Sequence, residues 1–214
     1  TDSNLNTILF SLKHKDKNEL SFEDTESIKN MVRSSLGSHA NRFEYNFQIR
    51  FFDNEVEMLN IFLECINKYF HSIIGWNFTF FDWIYIYNRC KKLGIDVKKA
   101  SPLHKLTKKT YTLKDETKIT IETPAHRIIL DYMQFFKDSL IYNNLDNYSL
   151  SNIANLILGL DKIMYEGNLR TLYNQNFNKF LAYALIDTIL VMLIHKTTNL
   201  YNVDFFESYF NKIP

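Results

Sequence analysis

A chain of 214 residues with 46% hydrophobic and 23% charged residues can bury one sizeable core and is too apolar for disorder. Five Gly and three Pro against 18 Phe and 13 Tyr exclude collagen-like and linker-like chains, and Cys65 and Cys90 alone make neither a disulfide framework nor a metal knuckle. The net charge of +1 hides an asymmetry, because residues 91–118 carry nine Lys against Asp96, Asp115 and Glu116, a local +6 that leaves −5 elsewhere.

In chain order, Asn6–His14 and Glu19–Glu23 flank the turn Lys15-Asp16-Lys17-Asn18 and predict a β-hairpin. The polar stretch Asp24 to Asn41 reads as a loop or a short helix, and Phe43–Phe51 alternates as a strand does. Asp53 is placed to cap a helix whose apolar residues Val56, Leu59, Phe62, Leu63, Ile66 and Phe70 follow a 3.6-residue period. Ser72–Trp76 predicts a short buried strand, and Asp82–Leu93 a helix stopped at Gly94. Tyr111–Leu113 and Lys118–Glu122 bracket Lys114-Asp115-Glu116-Thr117, a second hairpin that bears the basic segment. That segment is either a polyanion footprint or a solvated loop. Arg127–Asp131 is a short strand, and helices follow at Met133–Lys137, Ser149–Leu158 and Asn178–His195. Strands first, then strands mixed with helices, predict an α/β domain with a mixed sheet. No apolar run reaches the length of a membrane span, because Asp187 and His195 bracket Thr188–Ile194. Nothing at the start reads as a signal peptide, and a reducing cytoplasm fits the cysteine usage.

There is no Gly-rich phosphate loop, no nucleophile elbow and no Cys/His cluster with metal spacing. Acidic residues set among aromatics remain. Asp82 follows Phe80 and Phe81 and precedes Trp83, so its carboxylate either answers a helix dipole or needs a cation in an apolar setting. Tyr183 and Asp187 lie four apart on a strongly apolar helix and share one face. A carboxylate in such a run needs a metal or a partner, with Arg89 and Arg170 the candidates for the latter.

Taken together, Gly75-Trp76-Asn77-x4-Asp82-x2-Tyr85-Ile86-x-Asn88-Arg89 resembles the second exonuclease motif of family B DNA polymerases, and Tyr183-x3-Asp187 resembles their third. Ile129-Leu130-Asp131-Tyr132, Tyr148-Ser149-Leu150-x3-Ala154 and Lys162-Ile163-Met164-Tyr165-Glu166-Gly167 follow the same pattern between them. Phe52-Asp53-Asn54-Glu55 with Met58-Leu59 is similar to the helix entry of the T4-like phage enzymes, so the likeness runs in order from about Phe51 to Leu190.

The resemblance implies a ribonuclease-H-like mixed sheet flanked by helices, with an inserted β-hairpin, and 3′→5′ proofreading on single-stranded DNA ends. It implies that Asp82 and Asp187 each hold one of two Mg²⁺ or Mn²⁺ ions in one cleft. Tyr183 would place the attacking water, Lys162 would stabilise phosphate charge, and Asn77 would meet the terminal nucleotide. Phe81, Ser149, Lys105, Lys108 and Lys109 are the further DNA contacts expected.

The family's first motif, Asp-x-Glu on a central strand, has no counterpart before Asn6. Asp24-Thr25-Glu26 has the letters but follows the first expected hairpin, and Ile8-Leu9-Phe10 could be that strand with Ser11 and Lys13 in place of the acids. Residues 1–214 are therefore expected to be an exonuclease domain lacking its first strand, inactive as cut and separated from its polymerase domain. A non-catalytic single-stranded-DNA-binding module of the same fold is the alternative. No membrane partner is expected.

Overall fold

The computed structural model describes residues 7–13, 20–42, 46–112, 116–139 and 141–199. The chain is mixed α/β, and the described strands pair two by two: β1 (Thr7–Lys13) with β2 (Asn46–Phe52), β3 (Ser72–Gly75) with β6 (Ile128–Asp131), and β4 (Leu106–Thr112) with β5 (Lys118–Pro124). It divides into two compact units, one joining residues 20–48 to the chain from 136 onward, the other built on residues 49–135.

The first unit is helical. Helix α1 (Phe22–Leu36) starts where the Ser21 hydroxyl accepts the Asp24 N–H at 3.0 Å, and Ile28, Val32 and Leu36, four apart, form its buried stripe. This corrects two expectations. Leu20–Glu23 is no strand but a helix entry, so β1 pairs with β2 instead of closing the first hairpin, and the polar stretch after it is a four-turn helix. Residues 14–19, with the expected turn, lie outside the described residues.

Helices α5 (Leu150–Leu158), α6 (Leu169–Gln175) and α7 (Phe177–Thr198) complete this unit, with α7 packed on α1, α5 and α6. Helix α6 has no counterpart among the elements the sequence predicts; Asn168 starts it by accepting the Thr171 N–H. By length and composition α7 could cross a membrane, contrary to the sequence expectation, because the single Asp187 barely lowers its mean hydropathy. Its fully buried residues, among them Leu181, Leu185, Ile189 and Leu190, show instead a core helix.

In the second unit, α2 (Glu55–Tyr69) begins at Asn54, whose side chain accepts the Val56 N–H at 2.8 Å, so the cap is one residue later than expected at Asp53. Leu59, Leu63 and Ile66 of α2 pack with Trp83 and Cys90 of α3 (Asp82–Lys92) and with Ile121 of β5. The β3–β6 pair is parallel, with Gly75 beside Asp131, and β3 is half open rather than buried. The antiparallel β4–β5 hairpin holds Lys108 opposite Glu122, and residues 113–115 at its tip lie outside the described residues. Asp131 ends β6 and leads directly into α4 (Tyr132–Asp138).

Candidate active site

The turn from β3 to α3 presents Asn77, Phe81 and Asp82, all in the second unit. Gly75 has to lack a side chain, since a Cβ there would lie 2.5 Å from the Phe78 Cβ. Asn77 then takes a left-handed φ of 57°, a conformation Asn tolerates better than most residues. Its carbonyl accepts the Phe81 N–H at 3.0 Å, and the Phe78 carbonyl accepts the Trp83 N–H at 2.8 Å. Asp131, the last residue of the neighbouring strand, closes the turn. One carboxylate oxygen accepts the Asn77 N–H at 3.0 Å and the other accepts the Thr79 N–H at 3.1 Å.

Asp82 therefore opens α3 as its first helical residue, and no side chain caps the helix at Phe81. Desolvation raises the Asp82 carboxyl above its usual range, its own backbone N–H opposes that, and the Asp131 charge adds to it. Desolvation raises Asp131 as well, against the backbone N–H groups it accepts. Phe81, directly before Asp82, is 70% exposed and Tyr85, one turn on, is 67% exposed, so both neighbouring rings are open to solvent. Helix α3 is fastened from behind: Trp83 donates to the Glu122 carbonyl at 2.7 Å, and Arg89 grips both carboxylate oxygens of Glu55 at 2.6 and 2.5 Å.

The other candidates lie in the first unit. Lys162 Nζ donates to Asp187 Oδ2 at 2.9 Å and sits 5.6 Å from the Tyr183 ring centroid. The partner of Asp187 is thus this lysine, neither Arg89 nor Arg170. Asp187 Oδ1 is buried with no hydrogen-bond partner. Tyr165, not singled out from the sequence, packs edge-on against Tyr183 with centroids 5.2 Å apart. Burial, then the Asp187 charge and Tyr165, push the Tyr183 phenol well above its ordinary pKa, so it stays a neutral hydrogen-bond donor.

The remaining candidates have ordinary structural roles. The Ser149 hydroxyl caps α5 by accepting the Asn152 N–H at 3.3 Å. Lys108 pairs with Glu122 at 3.1 Å, Lys109 lies over the Tyr111 ring, and the Lys105 carbonyl accepts the Ala125 N–H. Asp24 and Glu26 both sit in α1, where Asp24 accepts from the Asn178 side chain and Glu26 pairs with Lys29.

Among the described residues no group of three or more His, Cys, Asp or Glu is gathered as for a metal ion. The unpartnered Oδ1 of Asp187 nonetheless suits a hard cation, because a buried carboxylate oxygen without a donor is costly. Asp82, exposed and with no side-chain cation partner among the described residues, offers the same kind of ligand. Asp131 differs from both: its two oxygens are already taken by N–H groups.

The family model for the exonuclease domain of DNA polymerase family B matches residues 9–153, which takes in Asn77, Asp82 and Asp131 but not Lys162, Tyr183 or Asp187. The DNA-directed DNA polymerase of Escherichia phage RB69 is 29% identical over 164 residues, covering 76% of this chain and 18% of its own length. That of Enterobacteria phage T4 is 29% identical over 170 residues, with the same two shares. The chain thus spans less than a fifth of these relatives.

Proposed function

Since the chain belongs to the family of exonuclease domains of family B DNA polymerases, we propose that it removes nucleotides from the 3′ end of single-stranded DNA as part of a phage-type polymerase acting in the host cytoplasm. The observation that carries this reading is the buried, unpartnered Oδ1 of Asp187 beside an oxygen held by Lys162. Asp82 and Asp187 would each hold one divalent cation, Mg²⁺ or Mn²⁺. When bound, such a pair supplies Lewis acidity toward the scissile phosphate, the attacking water and the leaving 3′-oxygen.

The residues of the chain do the rest. Lys162 fixes the Asp187 carboxylate so that Oδ1 faces its ligand, and its charge offsets part of the negative charge a phosphate brings. Tyr183, kept neutral, donates a hydrogen bond to the water. Asn77 and the exposed face of Phe81 meet the terminal nucleotide, the latter by stacking without reading sequence. Lys105 and Lys109 of the basic segment add contacts to phosphate whose strength falls with salt.

Asp82 and Asp187 give −2 against the +4 of two divalent ions, so hydrolysis is expected to be slow. The test follows Mn²⁺ binding by electron paramagnetic resonance and single-turnover hydrolysis of a 5′-labelled single strand. Asp82→Ala and Asp187→Ala should each lower the rate 100-fold or more. Lys105→Glu with Lys109→Glu should weaken strand binding at low salt and flatten its salt dependence. Strand binding with neither hydrolysis nor bound Mn²⁺ at any Mn²⁺ concentration would overturn the catalytic reading in favour of a binding module.

A further inference from the structure

Asp131 lies 54 residues from Asn77 in sequence, yet its carboxylate spans the backbone of the turn that carries Asn77 and Asp82. We infer that Asp131 is a positioning residue: by accepting the Asn77 and Thr79 N–H groups on separate oxygens, it sets the path of the β3–α3 turn and so the place from which Asp82 meets its ligand. The inference rests on the reading of Asp82 as a cation ligand.

The geometry leaves little else to do this work. Residues 76–81 form neither helix nor strand, and the N–H groups of Asn77 and Thr79 fall where no ladder partner exists. A buried N–H without an acceptor is costly, and Thr79 is only 6% exposed. The acceptor is delivered from outside the turn, by the parallel register that sets Asp131 beside Gly75. Strand β6 is thus a ruler: its last residue reaches across to the loop leaving its partner's end. A carboxylate suits this task because it has two acceptor oxygens and no donor, each able to take one N–H. Phe78 is pressed onto Gly75, and Asn77 is held at positive φ, so releasing the clamp lets the chain leave a conformation few residues favour. Asp82 follows three residues after Thr79 and begins α3, so a change of turn moves its carboxylate directly.

Asp131 also accepts the Gln134 N–H, at 3.5 Å, and could be mistaken for a mere helix cap. The substitutions separate the two roles. Asn caps helices as well as Asp does, so Asp131→Asn keeps that function, yet its amide nitrogen would oppose the Thr79 N–H, donor against donor. Asp131→Glu keeps the charge and moves both oxygens out of register.

The experiment uses the whole 214-residue chain and its Asp131→Asn and Asp131→Glu variants. Amide hydrogen exchange of Asn77 and Thr79 is read by NMR, together with the Mn²⁺ concentration that half-broadens the Asp82 amide signal. Wild type should protect both amides. Asp131→Asn should speed Thr79 exchange tenfold or more, shift the Asp82 amide signal and raise the half-broadening concentration tenfold, with the core of α3 still protected. Asp131→Glu should do no better, although its charge is intact. Recovery of Mn²⁺ affinity in Asp131→Glu would make the role one of charge and overturn the inference, as would unprotected amides in wild type or an Asp82 signal unmoved in both variants. If Mn²⁺ never broadens Asp82 in wild type, the cation reading of Asp82 falls instead. The exchange rates and the Asp82 shift then still decide whether Asp131 sets the turn.

Discussion

Asp82 and Asp187 are presented by different kinds of scaffold. Asp187 projects from the middle of a 22-residue helix, where nine buried residues fix the backbone and only the side chain needs orienting. One lysine does that, through one oxygen, and leaves the other open. Asp82 stands at the end of a turn with no regular hydrogen bonding, so it is the backbone that needs fixing, and Gly75, Asn77 and Asp131 fix it. A helix lends rigidity to a ligand in advance; a turn has to be braced from its neighbours. The first arrangement should therefore be sensitive to charge and the second to shape.

The sharpest break in shape is Gly75→Ala. The added Cβ meets Phe78 at 2.5 Å, and relieving that overlap should cost about 1–3 kcal/mol of stability, measured by urea unfolding. Asp187→Ala, by contrast, should leave the Asp82 turn unaltered, as read from the Asn77 and Thr79 amides. A charge test comes next. Lys162→Met takes the cation partner from the partly buried Asp187, at a cost of about 1–2 kcal/mol for a pair that keeps some solvent contact. Millimolar Mn²⁺ should then raise the melting temperature of the variant more than that of wild type; an equal shift would count against the open oxygen as a ligand. The smallest effect separates backbone from side chain at Asn77. Asn77→Ala should lose roughly 1 kcal/mol because Ala resists a φ of 57°, whereas Asn77→Gly should unfold at nearly the wild-type urea concentration. Weakened strand binding in Asn77→Gly would then report the side chain alone.

These contrasts bear on what the sequence could disclose. Asp82, Tyr183 and Asp187 stand out because acids among aromatic and aliphatic residues contradict their surroundings, and that contradiction is local. The brace is not local. Nothing near Asp131 tells that its oxygens meet Asn77 and Thr79, because that depends on a parallel register between strands separated by α3 and the β4–β5 hairpin. Lys162 as the partner of Asp187 was hidden for the same reason, its loop position having no periodicity to read. Helix α1 is a different case. Its cap, Ser21 with Asp24, and its stripe, Ile28, Val32 and Leu36, were both visible, but the polar residues between them obscured the period.

The order of the chain has a kinetic consequence. Helix α1 and its partner α7 belong to one unit, yet the whole of residues 49–135 is spelled out between their halves. During synthesis α1 emerges with its stripe uncovered and waits for a partner made some 140 residues later, while α2, α3 and the strands between them already have all their contacts within reach. Closing a loop of that size is slow but costs little more than a shorter one, since the entropy grows only with the logarithm of length. A second unit already folded shortens the flexible span further. The nested arrangement thus predicts that residues 49–135 gain amide protection first in refolding, and that the α1–α7 interface, with the Asn178–Asp24 hydrogen bond across it, is the last to form.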